Sequence, residues 1–534
     1  MSATSWPSSA CPAAPRPRST PCVSGWSPPT PRRVEPGPWA PPMKPPNRSL
    51  SPALLPSRPE RATGAGSAPP SPAPPRSRRG GKPGWGAAFA LCLRLSAAAL
   101  LLAACQGTAL PSATPAPVTL RFTYWGSPIE KEAIERMVTA FEAANPDIRI
   151  DAQHFPYNEY VARVSGLLAG GTPPDVGYLP ETHAPEWASQ GRVLDLTEVF
   201  QADPELSARL PETFYYFAPG RTLGTSTASE TILLFYNRAV FDQAGLPYPP
   251  ARAEDAWTWD EFVAVAKRLT RDADGRRADE PGFDPTHIQV YGVTFDTDNW
   301  FGYFPFIYSN GGDAVDETAT RTRLAEPEAV EAIQRLADLM WIHHVMPTPE
   351  EQRRLPAGEA LMQTGQLAMH IRGQWALLDY SSMQGLDFGV AVLPKMQVAR
   401  TLILGSPTVI FAGVQHRDAA IRFYKFHNDP QAVDLYARGL WMPLQRAYYT
   451  EPDKIAAWLD NPAHPPGSQT ALVEYTLCCV ERAPHYYVKN FGRITTDVIQ
   501  PAVDRVWSGE VSAAEALAEA ARQAEPLLAG RWDR

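Results

Sequence analysis

Residues 119–152, TLRFTYWGSPIEKEAIERMVTAFEAANPDIRIDA, contain the pattern that decides the fold. Residues 119–125 alternate apolar and polar side chains and are rich in strand formers, so they predict a first β-strand. The next apolar residues recur at i, i+3, i+4 and i+7, as on one face of a helix: Ile134, Met137, Val138 and Phe141. This helix should end before Asn145-Pro146, and residues 148–152 predict a second strand. Strand, helix and strand in this order are typical of a parallel sheet in an α/β lobe.

The same order continues along the chain. Residues 161–168 predict a second helix and residues 174–179 a third strand. Residues 232–236 are a candidate for a buried strand. Thr258-Trp-Asp-Glu261 has the spacing of a capping box, in which the Thr and Glu side chains bond the free amides of a helix start. Asp272-Ala-Asp-Gly275 predicts a polar turn, because the later ligand positions of a calcium loop are wrong.

The first 85 residues are not expected to take part in the fold. They hold 23 of the 57 prolines and 12 Lys or Arg residues against two acidic ones. Such a segment cannot bury enough apolar surface to offset its ordering entropy, which predicts disorder. The alternative is that translation starts downstream of Met1, since an export signal follows this extension.

Residues 86–104 have the parts of a lipoprotein signal peptide. Basic residues precede a short apolar stretch, and small residues come before Cys105. Arg94 interrupts the apolar stretch, which leaves it short of the roughly 20 residues that span a bilayer. Leu102-Ala-Ala-Cys105 resembles a bacterial lipobox, which implies a lipid on Cys105. Residues 105–117 suit a flexible tether.

The chain from Cys105 onward is strongly acidic, with 36 basic and 55 acidic residues. This balance disfavours nucleic acid and anionic membrane surfaces as partners, so we expect membrane contact only through the lipid. Besides Cys105, the cysteines are Cys478 and Cys479, which could be a reduced buried pair or a vicinal disulfide. We predict no metal and no cofactor.

Five segments, in order, resemble a known family. Three of them are Leu234-Phe-Tyr-Asn-Arg238, Phe241-Asp-Gln-Ala-Gly-Leu-Pro247 and Trp257-Thr-Trp-Asp-Glu-Phe262. Asn310-Gly-Gly-Asp313 and Gly365-Gln-Leu-Ala-Met-His-Ile-Arg-Gly-Gln-Trp375 follow. Together they resemble extracellular solute-binding protein family 1, which includes the maltose-binding and related sugar-binding proteins of ABC importers.

The resemblance implies an α/β, two-lobed periplasmic-binding-protein fold with a ligand cleft between the lobes. The first lobe would comprise residues 118–230 with a return near 395–430. The second would comprise residues 231–394 and 431–534. The implied function is that of a monomeric substrate-binding lipoprotein. It would capture a carbohydrate by lobe closure and deliver it to the ABC permease, without being an enzyme. Its implied place is outside the cytoplasmic membrane, in the periplasm or at the cell surface.

A sugar pocket combines aromatic platforms with hydrogen-bonding groups at its edges. Ligand crevices lie at the carboxyl ends of parallel strands, so aromatic and polar residues after strands are the candidates. The positions of Trp375 and Trp441 are favoured by the resemblance, and Arg372 either contacts the ligand or pairs with a surface carboxylate. The predicted ligand-binding residues are Trp125, Tyr178, Glu181, Asp298, Asn299, Trp300, Arg372, Trp375 and Trp441.

The sequence permits two other functions. The acidic body permits the import of a peptide, a polyamine or another small solute instead of a sugar. For a cationic cargo, carboxylates should dominate the site. A secreted polysaccharide hydrolase would need paired carboxylates in the cleft. No His-Glu-x-x-His or Gly-x-Ser-x-Gly motif is present, which disfavours hydrolases of those types.

Overall fold

Two large β-sheets organise residues 116–534, the part of the chain that this computed structural model describes. The predicted N-terminal extension, the signal peptide, Cys105 and all but the last two residues of the predicted tether lie outside the described residues. Within residues 116–534, no helix combines the length and the apolar character needed to cross a membrane.

The secondary structure alternates between strands and mostly short helices. The strands are β1 Val118–Tyr124, β2 Ile148–His154, β3 Val176–Tyr178, β4 Phe214–Ala218, β5 Arg221–Thr225, β6 Glu230–Asn237, β7 Arg271–Asp272, β8 Ile288–Phe295, β9 Leu367–Gly373, β10 Phe388–Ala391, β11 Thr401–Leu404, β12 Thr408–Ile410 and β13 Val480–Arg482. The α-helices are α1 Pro128–Ala144, α2 Tyr157–Ala169, α3 Ala184–Ser189, α4 Thr197–Ala202, α5 Pro204–Ser207, α6 Arg238–Ala244, α7 Trp259–Leu269, α8 Phe304–Ser309, α9 Pro327–Trp341, α10 Pro349–Gln352, α11 Gly358–Gln363, α12 Ala376–Ser382, α13 Arg417–His427, α14 Ala447–Thr450, α15 Pro452–Leu459, α16 Tyr475–Cys479, α17 Phe491–Ile494, α18 Gln500–Trp507 and α19 Ala513–Ala524.

The first sheet has the strand order β12-β3-β1-β2. β1 pairs in parallel with both β2 and β3, as the alternation of strands and helices predicts. α1 begins at a capping box formed by Ser127 and Glu130 and ends before Asn145. Its buried residues include all four of the predicted apolar face, which confirms that helix.

The second sheet has the order β13-β11-β6-β9-β8-β7, with β10 also paired to β6. β6 is antiparallel to β9, β10 and β11, whereas β8 and β9 are parallel. β6 is buried along almost its whole length, which explains its continuous apolar sequence. The second lobe is therefore built on a mixed sheet.

The chain crosses between the two lobes at residues 226–229, again at 405–407, and a third time between β12 and β13. The Thr227 amide donates to the Ser406 carbonyl over 2.9 Å, and the Ser229 amide donates to the Met442 carbonyl over 3.0 Å. The return to the first sheet is made by β12, because β11 pairs with β6 and β13 in the second sheet. These crossings lie side by side and form the connection between the lobes.

Three local features agree with the sequence or resolve one of its alternatives. Thr258 and Glu261 form the predicted capping box of α7. The Asp272 carboxylate accepts from the backbone amides of Asp274 and Arg276, so it is used within the predicted turn. Cys478 and Cys479 form a vicinal disulfide rather than a reduced pair.

Candidate functional site

A cavity of about 410 Å³ lies between the two lobes and is lined by residues of both. Residues that follow strands of the first sheet form one wall, and residues that follow β8 and β9 form the other. Among the predicted ligand-binding residues, the cavity brings together Trp125, Tyr178, Glu181, Asn299, Arg372, Trp375 and Trp441. Their placement makes them available to one ligand, and their binding roles stay a prediction.

Two predicted residues lie outside this cavity. Asp298 is exposed and lines a separate groove of the second lobe. Trp300 is buried behind the wall, where its ring lies 4.3 Å from the ring of His485. Trp300 acts on the cavity only indirectly, because its side chain offsets a small part of the rise in the pKa of Glu181 that burial causes.

The aromatic group of the first lobe is built around Trp125. Its ring meets three tyrosines edge to face, with centroid distances of 5.3 Å to Tyr157, 4.8 Å to Tyr160 and 5.1 Å to Tyr178. Tyr157 lines the cavity and is half-exposed, although the sequence pattern did not single it out. The edge-to-face contacts fix the orientation of Trp125 before any ligand arrives.

The aromatic group of the second lobe consists of Trp375 and Phe301, whose rings meet edge to face at 5.4 Å. Trp375 follows β9 by two residues, and its ring lies directly on the backbone of Gly373. A Cβ at residue 373 would come within 2.0 Å of that ring, so any larger residue there would displace the indole. This contact is a physical reason for the Gly-x-Trp spacing.

Three glutamates line the cavity, and only Glu181 was predicted from the sequence. The Ser127 amide donates to Glu130 over 2.6 Å, and the Ser406 hydroxyl donates to Glu181 over 2.5 Å. Among residues 116–534, no hydrogen bond reaches the side chain of Glu230. Burial, above all, raises the pKa of Glu130 to about 7 and that of Glu181 above its usual range. Burial and the neighbouring glutamates hold the pKa of Glu230 well above its usual range.

Arg372 is paired with two carboxylates while it lines the cavity. Its guanidinium bonds Asp296, and Nε lies 3.1 Å from Oε1 of Glu359. Although burial opposes its charge, these carboxylates hold its pKa above the usual range. Arg372 therefore makes the predicted ion pair, but with partly buried carboxylates rather than surface ones.

One hydrogen bond closes the cavity between the lobes. The Ser127 hydroxyl, before α1, donates to Asp379 of α12 over 3.2 Å. Ser127 also caps α1, so the bond joins a rigid helix start in the first lobe to a helix in the second. The two walls are thus in contact at this rim.

A buried histidine supports the floor of the cavity. His427 is fully buried, and Nε2 lies 3.2 Å from the hydroxyl of Tyr178. Its ring also lies 4.8 Å from that of Trp441. His427 therefore contacts two of the predicted binding residues from the side away from the cavity. Burial favours the neutral form of its imidazole over the charged form.

His427 is expected to make folding stability depend on pH. Burial lowers its pKa to about 3, whereas the unfolded chain has the usual value of about 6.5. Because the unfolded state binds the proton more readily, this contribution is complete above pH 6.5 and is lost as pH falls towards 3. The loss is about 1.4 kcal/mol per pH unit.

Urea unfolding of the wild type and of His427→Asn at pH 7 and pH 5 measures this effect. The wild type should lose about 2 kcal/mol relative to the variant between these two values. Equal losses in both proteins would show that His427 is not held neutral.

The fold and the cavity define a class of protein, a two-lobed solute-binding protein with its ligand site between the lobes. The family model of bacterial extracellular solute-binding proteins matches residues 125–434, which is more than half of the chain. The chain belongs to this family.

Two solved structures share this architecture. A substrate-binding protein of Listeria monocytogenes in complex with cycloalternan has a TM-score of 0.66 and 22% identity, covering 77% of this chain and 99% of its own. A maltose-bound protein of T. maritima has a TM-score of 0.62 and 23% identity, covering 77% of this chain and 100% of its own. These likenesses confirm the predicted two-lobed α/β fold.

A curated binding protein of Brucella abortus is 24% identical over 263 residues. The match spans 49% of this chain and 59% of that relative. The chain therefore spans less than two thirds of the length of this relative.

Proposed function

We propose that this protein is the substrate-binding lipoprotein of an ABC importer and that it captures a carbohydrate between its lobes. The observation that carries this proposal is the placement of aromatic rings from both lobes on one cavity of about 410 Å³. Trp125 and Tyr157 belong to one wall, and Phe301 and Trp375 belong to the other. Sugar rings present apolar C–H faces that pack against such rings.

The polar groups of the lining suit the hydroxyls of a sugar. Asn299, Thr227 and Ser406 bring amide and hydroxyl groups to the same cavity as the aromatic rings. Pockets of this size with a few placed polar groups are typical of small-molecule sites. The sugars bound by the two solved relatives named above agree with this reading.

Capture would work by closure of the lobes. A ligand that contacts both walls stabilises the closed arrangement more than the open one and so shifts the population towards it. The bond between Ser127 and Asp379 would form in the closed arrangement and break in the open one. The closed form would then dock on the permease as a monomer, held to the cytoplasmic membrane by a lipid on Cys105 in the periplasm or at the cell surface.

A thermal-shift screen of the chain from residue 106 tests the cargo. The panel contains mono-, di- and oligosaccharides, amino acids, peptides and polyamines. A ligand at 100 times its dissociation constant should stabilise the fold by about 2.7 kcal/mol, which is a shift of about one degree or more.

A response to one class of sugar is the expected result. Silence towards sugars with a response to a peptide or polyamine would keep the importer role and overturn the sugar. Turnover of a glycoside by the pure protein would instead revive the hydrolase alternative.

A further inference from the structure

We propose that the captured sugar carries a cationic amino group and that this group lies among Glu130, Glu181 and Glu230. The inference rests on the proposed function, because it names the chemical class of sugar for the same cavity. Two observations support it: the excess of acidic side chains in the cavity lining, and the lack of hydrogen-bonding or basic partners within residues 116–534 for some of them.

Acidic groups outnumber basic groups around the cavity. Four carboxyl side chains line it, from Glu130, Glu181, Glu230 and Asp379, and Arg372 is the one basic side chain among the lining residues that the structure describes. Asp296 and Glu359 already pair with Arg372 from outside the cavity. Its charge is therefore largely compensated, although it still lowers the pKa of Glu130 and of Asp379 to some extent.

The carboxyls differ in how well the protein satisfies them. Glu181 is 5% exposed, and the Ser406 hydroxyl holds one of its oxygens. Glu130 and Asp379 are bonded by the amide and hydroxyl of Ser127. The carboxyl group of Glu230 accepts no hydrogen bond from residues 116–534. It nevertheless lies close enough to Glu181 and Glu130 for their charges to raise its pKa.

A partly buried group of carboxyls with too few partners has two ways to lower its free energy. Protons can remain on some of them, as the raised pKa values of Glu130 and Glu230 indicate. Alternatively, a cation can lie between them and allow them to ionise. A ligand that brings a cation replaces the protons with a charge pair in a site of low dielectric.

The other charged cargoes fit the cavity less well. A peptide, an amino acid or a phosphorylated sugar carries an anionic group that needs a free basic partner, and Arg372 is already neutralised. A linear polyamine would use the carboxyls but would leave the rings of Trp125 and Trp375 without a ring face to pack on. An amino sugar uses both features, because its C–H faces pack on the aromatic rings while its ammonium group lies among the carboxyls.

Matched sugars test the inference by titration calorimetry. The β-1,4-linked disaccharide of glucosamine is compared with its N-acetylated form and with cellobiose, and the three differ only in the substituent at C2 of each ring. We expect the free amine to bind at least about tenfold more tightly at pH 7. Titrations in two buffers of different ionisation heat should also show proton release when the amine binds.

Glu230→Gln removes the charge and keeps the shape. The variant should lose the preference for the amine, measured against its own affinity for the neutral sugars, and should lose the proton release. Its melting temperature without ligand should be equal to or above that of the wild type, because a repulsion is removed. The exposed Glu254→Gln is the control and should keep the preference.

The failures can be told apart. Neutral sugars that bind as tightly as the amine would overturn the inference and leave the proposed function in place. Retention of the preference in Glu230→Gln would also overturn it. Silence towards every sugar, neutral and amino alike, would overturn the proposed function together with the inference.

Discussion

Replacing Trp375 by alanine is expected to lower the affinity for the sugar by about 100-fold, or about 3 kcal/mol. The indole is one of the aromatic faces that the second lobe presents to the cavity, and it rests on Gly373 and Phe301. Its removal takes away the tryptophan ring on the second-lobe wall, opposite Trp125, and admits water to the cavity. The measurement is titration calorimetry with the sugar identified by the thermal-shift screen.

A second tryptophan provides the control for this variant. Trp341 is 41% exposed at the end of α9 and does not line the cavity, so Trp341→Ala should keep the wild-type affinity. Trp375→Phe should have an intermediate affinity, since a smaller ring still covers Gly373. An unchanged affinity in Trp375→Ala would place the ligand elsewhere in the protein.

The sequence predicts much of this site because several binding candidates directly follow strands. Trp125 comes after β1 and Trp375 after β9, and the carboxyl ends of strands face the cleft. Glu130 was missed because its spacing to Ser127 is that of a helix cap, a role that it also fulfils. Glu230 was missed because it begins a strand, and only the crossing of the chain beside it turns its side chain into the cleft.

The run from Asp298 to Trp300 shows a different limit. The three residues are consecutive and have the expected composition of a sugar site, yet only Asn299 lines the cavity. The chain turns into a short 3₁₀-helix at Trp300, which sends the indole into the core and leaves Asp298 in solvent. Composition cannot decide such directions, because they depend on the backbone angles of a single turn.

The fold itself was predictable where the signal is local. The periodicity of α1 and the alternation of β1 are properties of short segments, and both are observed. The placement of β11 depends on contacts with Glu230 and Thr231 and with residues 480–482, far along the chain. The pattern of residues within a strand does not show which distant strand it pairs with. The division between the lobes near residue 400 therefore could not be predicted from the sequence.

Gly405→Ala is expected to destabilise the connection between the lobes by about 3 kcal/mol. Gly405 has φ of 136°, and a Cβ there would lie 2.3 Å from the carbonyl oxygen of Ala228 in the adjacent crossing. The crossing cannot shift freely, because the hydroxyls of Tyr215 and Tyr486 both donate to the Gly405 carbonyl, over 2.9 and 3.1 Å. The added methyl group should therefore push the crossings at residues 226–229 and 405–407 apart, because small local shifts cannot make room for it.

Gly220→Ala separates this steric effect from the cost of backbone conformation. Gly220 also has positive φ, 69°, but a Cβ there meets no atom within 4 Å, so its replacement should cost only about 1 kcal/mol. Urea unfolding of both variants gives the difference, and small-angle scattering with and without sugar reports closure of the lobes. We expect Gly405→Ala to unfold at lower urea and to close less completely. Equal losses of unfolding free energy in the two variants would mean that the crossings can move apart at no cost. The hydrogen bonds from Tyr215 and Tyr486 would then not hold the crossings in place.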